Sequence, residues 1–185
     1  MGALADQLKQ DHDDMRTIVA VLAEMASRFD EGEQVPADDL REIVGYMDVF
    51  VNRCHHAKEE RFLFPALEEA GLQRIGGPLE IMTAEHELEA NFLTGMNDAV
   101  ARYANGDGQS GQVITQYARD YGALLTRDME QEDQLIYPLA EQQLPERRQE
   151  EILTQFEQVE QEVLGPSRHD AYHTMAHELA ERYLN

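Results

Sequence analysis

The stretch Cys54-His55-His56-Ala57-Lys58-Glu59-Glu60-Arg61-Phe62-Leu63-Phe64-Pro65 decides how this chain is read. It sets two histidines four residues ahead of two glutamates, then an apolar run, then a proline. Residues four apart on a helix stack on one face, offset by about 40° around the axis. His55 and Glu59 therefore point one way, and His56 and Glu60 point another, about 100° round the helix. An imidazole and a carboxylate so placed can hold one metal ion, or one end of a metal pair.

Outward from this stretch, apolar residues recur at three and four positions, which predicts helices throughout. A first helix is expected over 3–29, with Leu4, Leu8, Met15, Ile18, Val19, Leu22 and Met25 inward, stopped near Gly32. A second begins near Pro36 and carries the opening stretch, with a kink or break at Pro65. Pro78 opens a third, lined by Ile81, Met82, Leu88, Phe92, Leu93, Met96 and Val100. The polar run 105–111 is a loop. A fourth helix follows over 112–142, through Tyr117, Tyr121, Leu124, Leu125 and Leu135. These four predict an all-α, up-down-up-down four-helix bundle over 1–144. Residues 145–185 form a helical extension of the same domain. Pro145 opens its first helix, Gly165-Pro166 breaks it, and a last helix runs from about Arg168 to Leu184.

The opening stretch has a counterpart. Asp128-Met129-Glu130-Gln131-Glu132-Asp133-Gln134-Leu135-Ile136-Tyr137-Pro138 aligns under it at an offset of 73 residues. Pro138 then falls under Pro65, Tyr137 under Phe64, Glu132 under Glu59, Asp133 under Glu60 and Asp128 under His55. Asp11-His12 and Glu85-His86 repeat as well, at an offset of 74. Two such hairpins about a pseudo-two-fold axis would bring their motif faces together in the bundle core.

With His12, His55, Glu59, His86 and Glu132 so placed, the sequence resembles the hemerythrin family in its bacterial HHE cation-binding branch, over about Gln7 to Leu144. The resemblance rests on His-His-x-Lys-Glu-Glu followed by Leu-Phe-Pro, and on the lone histidines ahead of each motif. It implies a non-haem di-iron centre inside the bundle. Glu59 and Glu132 would bridge the two irons, the histidines would be terminal ligands, and one iron would keep a position open for O2, NO or peroxide. Imidazole and carboxylate together favour iron or manganese over thiolate-seeking ions, and they also admit zinc. Ferritin-like centres use Glu-x-x-His, with the opposite order and a spacing of three, and so fit poorly.

The pattern departs from the family at Asp128, which stands where the second motif has histidine. An aspartate ligand adds negative charge, favours the ferric state and weighs against reversible O2 carriage. Ala90 stands where the oxygen carriers have a further histidine. Asp133 sits at the carboxylate position those carriers use, so it rivals Glu132 as the bridging ligand. The missing imidazole can come from the last helix. Of His169, His173 and His177, His169 lies about 50° from the middle of the apolar stripe and His173 about 90°. His56 and Glu60 are either outer partners of the ligands or a surface pair.

Composition narrows the function classes. The 185-residue chain is 42% hydrophobic, enough for a continuous core, and its formal net charge of −22 opposes nucleic acid and anionic membranes as partners. The single cysteine, Cys54, forms no intrachain disulfide, and the N-terminus lacks a signal-like apolar run, so a cytoplasmic setting is expected. Three functions remain: binding or sensing O2, NO or peroxide in oxidative or nitrosative stress, a peroxidase, catalase-like or NO-reducing enzyme, and an iron store or donor. A sensor would need a protein partner, whose identity the residues leave unknown.

Overall fold

The computed structural model describes residues 2–165 and 169–184. The expected break at Pro166 and the start at Arg168 lie outside them. Helix α1 spans Ala3–Asp30. Helix α2, residues 37–69, joins Ala37–Tyr46, two π-helical segments at Met47–His56 and Glu59–Leu63, and Phe64–Glu69. Helix α3 is Pro78–Ala104. Helix α4, residues 110–143, joins Ser110–Gln131, a π segment at Glu132–Ile136, and Tyr137–Gln143. The extension supplies α5 at Glu146–Val163 and α6 at His169–Tyr183.

The four long helices alternate in direction. One core cluster joins the start of α1 (Leu4, Leu8) to the ends of α2 and α4 (Leu67, Ala140) and the start of α3 (Leu79). The other joins the opposite ends, through Ala26, Leu40, Val100 and Ile114. In the bundle, α4 packs on α1 and α3, and α3 packs on α2. The α5 and α6 helices lie against α1 and α2, adding Phe156, Val159 and Leu179 to the core. Gly32 ends α1 at φ 80°, where glycine avoids a Cβ clash. Glu33 N–H donates to the Arg28 carbonyl and Gly32 N–H to that of Phe29, which is the Schellman pattern.

The sequence predicts a kink or break at Pro65 and places Pro138 inside a helix; the chain stays helical through both prolines, with altered winding ahead of each. Proline lacks the N–H that an α-helix would use and crowds the preceding turn. In both repeats the turn ahead of it widens to π winding. The residue before the proline then donates five positions back, Phe64 to the Glu59 carbonyl and Tyr137 to the Glu132 carbonyl. π turns often mark functional positions, and the one ahead of each proline begins at a motif glutamate.

Three apolar residues expected inside lie outside: Ile81, Leu88 and Leu135 are 52%, 42% and 45% exposed. On α3 the inward face is instead Leu79, Met82, His86, Glu89, Leu93 and Met96, so polar residues fill core positions. The π turn at Glu132–Ile136 carries Leu135 outward and Ile136 inward. The α4 helix also starts at Ser110, earlier than expected, with the Ser110 hydroxyl donating to Asp107.

Candidate metal centre

The alternating helices bring the early turns of α1 and α3 level with the late turns of α2 and α4. At that level, mid-core, stand His12, His55, Glu59, Glu89, Asp128 and Glu132 at 0% exposure, with His56 at 3% and His86 at 4%. Their ligand atoms form two groups. In the first, His12 Nε2 lies 3.1 Å from His55 Nε2 and 3.3 Å from Glu132 Oε2. In the second, His86 Nε2 lies 3.5 Å from Asp128 Oδ2, and His56 Nε2 lies 3.9 Å from the same oxygen and 3.5 Å from Glu89 Oε2.

Two carboxylates span the groups. Glu59 Oε2 is 3.8 Å from His55 Nε2 and 3.7 Å from His86 Nε2. Glu132 sets Oε2 toward His12 and Oε1 at 3.6 Å from His86 Nε2. Atoms each about 2.1 Å from one ion stand about 3–4 Å from one another, which is the spacing seen. Three sets among these residues have the closeness a metal needs: His12-His55-Glu132, His56-His86-Asp128 and Glu59-His86-Glu132.

Many of these atoms have no hydrogen-bond partner: His56 Nε2, His86 Nε2, Glu59 Oε2, Glu132 Oε1, and both oxygens of Glu89 and Asp128. Burying polar and charged groups without partners costs several kcal/mol each on the order of magnitude that transfer data give. A cation at the convergence of these atoms would relieve that cost, so the residues present fit a metal pair.

The other ring nitrogens are held from behind. His55 Nδ1 donates to Asp11 Oδ2 at 3.0 Å, His86 Nδ1 to Glu60 Oε1 at 2.7 Å and His12 Nδ1 to Asp133 Oδ1 at 3.2 Å. Such bonds fix the tautomer and aim Nε2 at the ion. Asp133 is itself paired with Arg16. The geometry therefore puts Glu132, not Asp133, between the groups, and puts Glu60 behind His86.

The imidazoles of the last helix meet carboxylates behind the two groups. His169 turns inward but donates to Asp11 Oδ1 at 3.2 Å, and His173 bonds His169 and pairs with Asp14. Besides His86, the imidazole facing Asp128 is His56, stacked on His86 with centroids 3.8 Å apart. Adjacent residues of α2 thus face different groups: His55 toward α1 and His56 toward α3 and α4.

Sequence reasoning missed Asp11, Lys58, Glu89 and Tyr137. Lys58, fully buried, donates to Asp11 at 3.0 Å and pairs with Glu160 at 2.7 Å. Tyr137 Oη donates to Glu59 Oε1 at 2.7 Å and lies 3.0 Å from His12 Nε2. The Glu89 signal was its spacing of three from His86, on the same face. The Tyr137 signal was its alignment under Phe64.

Electrostatics agrees with a site built for cations. Burial and then the Glu132 charge push the carboxyls of Glu59 and Asp128 up, Asp128 to about 7. Burial and then Asp128 do the same to Glu89. Burial works against charge on His12, but Asp133 and Glu132 outweigh it and hold the ring up at about 9. Burial also opposes charge on Glu132, and the imidazoles of His12 and His86 overcome it, keeping that carboxyl well below its usual range. Without metal, protons balance the cluster, and metal binding would release them.

Fold and site together define a helical-bundle, metal-binding protein with a buried histidine-carboxylate centre. Residues 3–140 match the Hemerythrin HHE cation binding domain, and the chain belongs to that family. No curated protein and no solved structure matches the chain. No described helix is long and apolar enough to cross a membrane.

Proposed function

We propose that this chain is a non-haem di-iron protein that binds or senses O2, NO or peroxide in oxidative or nitrosative stress or in iron handling, in a cytoplasmic setting. The observation that carries this reading is the convergence of unpartnered, buried imidazole nitrogens and carboxylate oxygens in two groups, with Glu59 and Glu132 between them. His12 and His55 would hold one ion, and His56, His86 and Asp128 the other. This donor mix suits iron or manganese, and a bound pair of such ions supplies redox chemistry toward a small ligand.

The chain's own residues exclude bulk water and aim the ligands. Asp11, Glu60 and Asp133 orient three histidines. A cavity of about 390 Å³ between α2 and α3 supports entry of a small molecule. Its lining includes Asn52, one turn before His56, and Ala90, next to Glu89.

The enzymatic alternative, turnover of peroxide or NO, draws on one observation. Tyr137 places a hydroxyl proton between Glu59 and His12, inside the centre. A positioned proton donor is what such turnover requires. The test is metal analysis of the full chain with its visible spectrum, before and after peroxide, NO, or reduction and O2. Iron with a ferric near-ultraviolet band that responds to these ligands supports the proposal. Peroxide turnover selects the enzyme. Zinc or no metal after growth with ample iron contradicts both.

A further inference from the structure

We infer that the two metal positions are chemically unlike, and that Glu89 is a ligand of the second, making it the tighter site for hard cations. This rests on the dinuclear reading above and concerns how that centre fills.

The difference is in the ligands each position does not share. The first has two imidazoles, His12 and His55, with the Tyr137 hydroxyl beside them. The second has two imidazoles, His56 and His86, and two carboxylates, Asp128 and Glu89. Glu59 and Glu132 serve both sides, so the second position carries the greater negative charge.

Glu89 has no other evident task. It is 0% exposed, and neither carboxylate oxygen has a hydrogen-bond partner. Both oxygens of Asp128 are likewise unpartnered, so the two carboxyls share no proton-bridged hydrogen bond. The ion pairs that Glu89 and Asp128 form are with imidazoles, at 3.5 Å for Glu89 and 3.5 and 3.9 Å for Asp128. By contrast, the buried Asp11 meets Lys58, and Glu85 meets Arg127. Glu89 and Asp128 both face the His56 ring with no hydrogen bond to hold their oxygens, so burying them costs stability. A cation at His56 Nε2 within reach of both carboxylates would offset that cost. Carboxylate oxygens also prefer hard ions, manganous or ferric, over softer ones. The second position therefore fills first and retains its ion longer.

The experiment is anaerobic titration of chelator-stripped full-length chain with Mn(II), following free Mn(II) by electron paramagnetic resonance. The expected result is two equivalents bound in two steps at least about tenfold apart. Glu89→Gln should weaken the first step by about 10–100-fold, as loss of a carboxylate near a metal does, and leave two weaker equivalents. His12→Gln should weaken the second step and spare the first. Thermal unfolding separates a ligand from a structural carboxylate. Metal-free Glu89→Gln should melt no lower than metal-free wild type, because Glu89 has no hydrogen bond to lose, while the metal gives it less stabilisation. Two equal steps, or a Glu89→Gln titration matching wild type, would overturn the inference and leave the dinuclear reading standing. Failure of wild type to bind either Mn(II) or Fe(II) would instead remove the dinuclear reading itself.

Discussion

The two halves of the centre share a scaffold and differ in chemistry. His12 and His86 hold matching places on α1 and α3, and each has an aromatic ring from the residue before a proline. Tyr137 lies 5.3 Å from His12, and Phe64 lies 5.9 Å from His86. Glu59 and Glu132 match as well, each at the start of a π turn. The differences fall beside this frame. Where the first half has His55, the second has Asp128, and an added histidine and glutamate, His56 and Glu89, stand next to it. Where the first half has a hydroxyl, the second has a bare phenyl ring. A duplicated frame can therefore keep its shape while the side chains of its two ligand groups diverge.

Breaking the shared element should have the largest effect. Glu132→Ala should remove both ions, because its oxygens face His12 and His86 together. Elemental analysis showing that the variant keeps one full equivalent would assign Glu132 to one side only.

Breaking one side should cost one ion. His56→Ala should leave about one metal per chain, held by His12 and His55, whereas His169→Ala should keep two. The reverse pattern would return the missing ligand to the last helix.

Removing metal should expose the proton balance of the first side. In the unfolded chain His12 loses its proton near the ordinary value of 6.5, and in the folded, metal-free chain near 9. The folded state thus binds more protons across that window, and its stability falls as pH rises from 6.5 to about 9. His12 alone contributes about 3 kcal/mol on that order of magnitude. Asp128, held up at about 7, acts in the same sense at the acid edge. With ions bound the slope should reverse, since protons and metal compete. Urea unfolding in chelator at these two pH values checks the sign.

The smallest change is Tyr137→Phe, which makes the halves alike. It should keep both ions and cost about 1–3 kcal/mol of metal-free stability, by leaving Glu59 Oε1 without its donor. Loss of metal instead would make the hydroxyl a ligand.

Much of this was legible in the residues, because helical spacing and the repeat are both local patterns. The bundle and the convergence of His12, His55, Glu59, His86, Asp128 and Glu132 followed from them. What escaped has physical reasons. The site places polar residues in core positions, so apolar spacing turned α3 toward Ile81 and Leu88 and hid Glu89. A π turn is invisible to a fixed helical period, so Pro65 read as a kink or break and Leu135 as core. His56 read as an outer or surface residue, because one helix viewed alone does not show that α3 and α4 flank it. Asp11 entered only as a marker of the repeat, since its bonds to His55, Lys58 and His169 join three distant segments.

The central claim is a pair of ions spanned by Glu59 and Glu132. Its most direct measurement is iron per chain after anaerobic Fe(II) loading and removal of free metal, with wild type beside Glu59→Ala and Glu132→Ala. Two irons per wild-type chain, falling to near none in either variant, is the predicted result. One iron or fewer in wild type, or two retained in both variants, would contradict it.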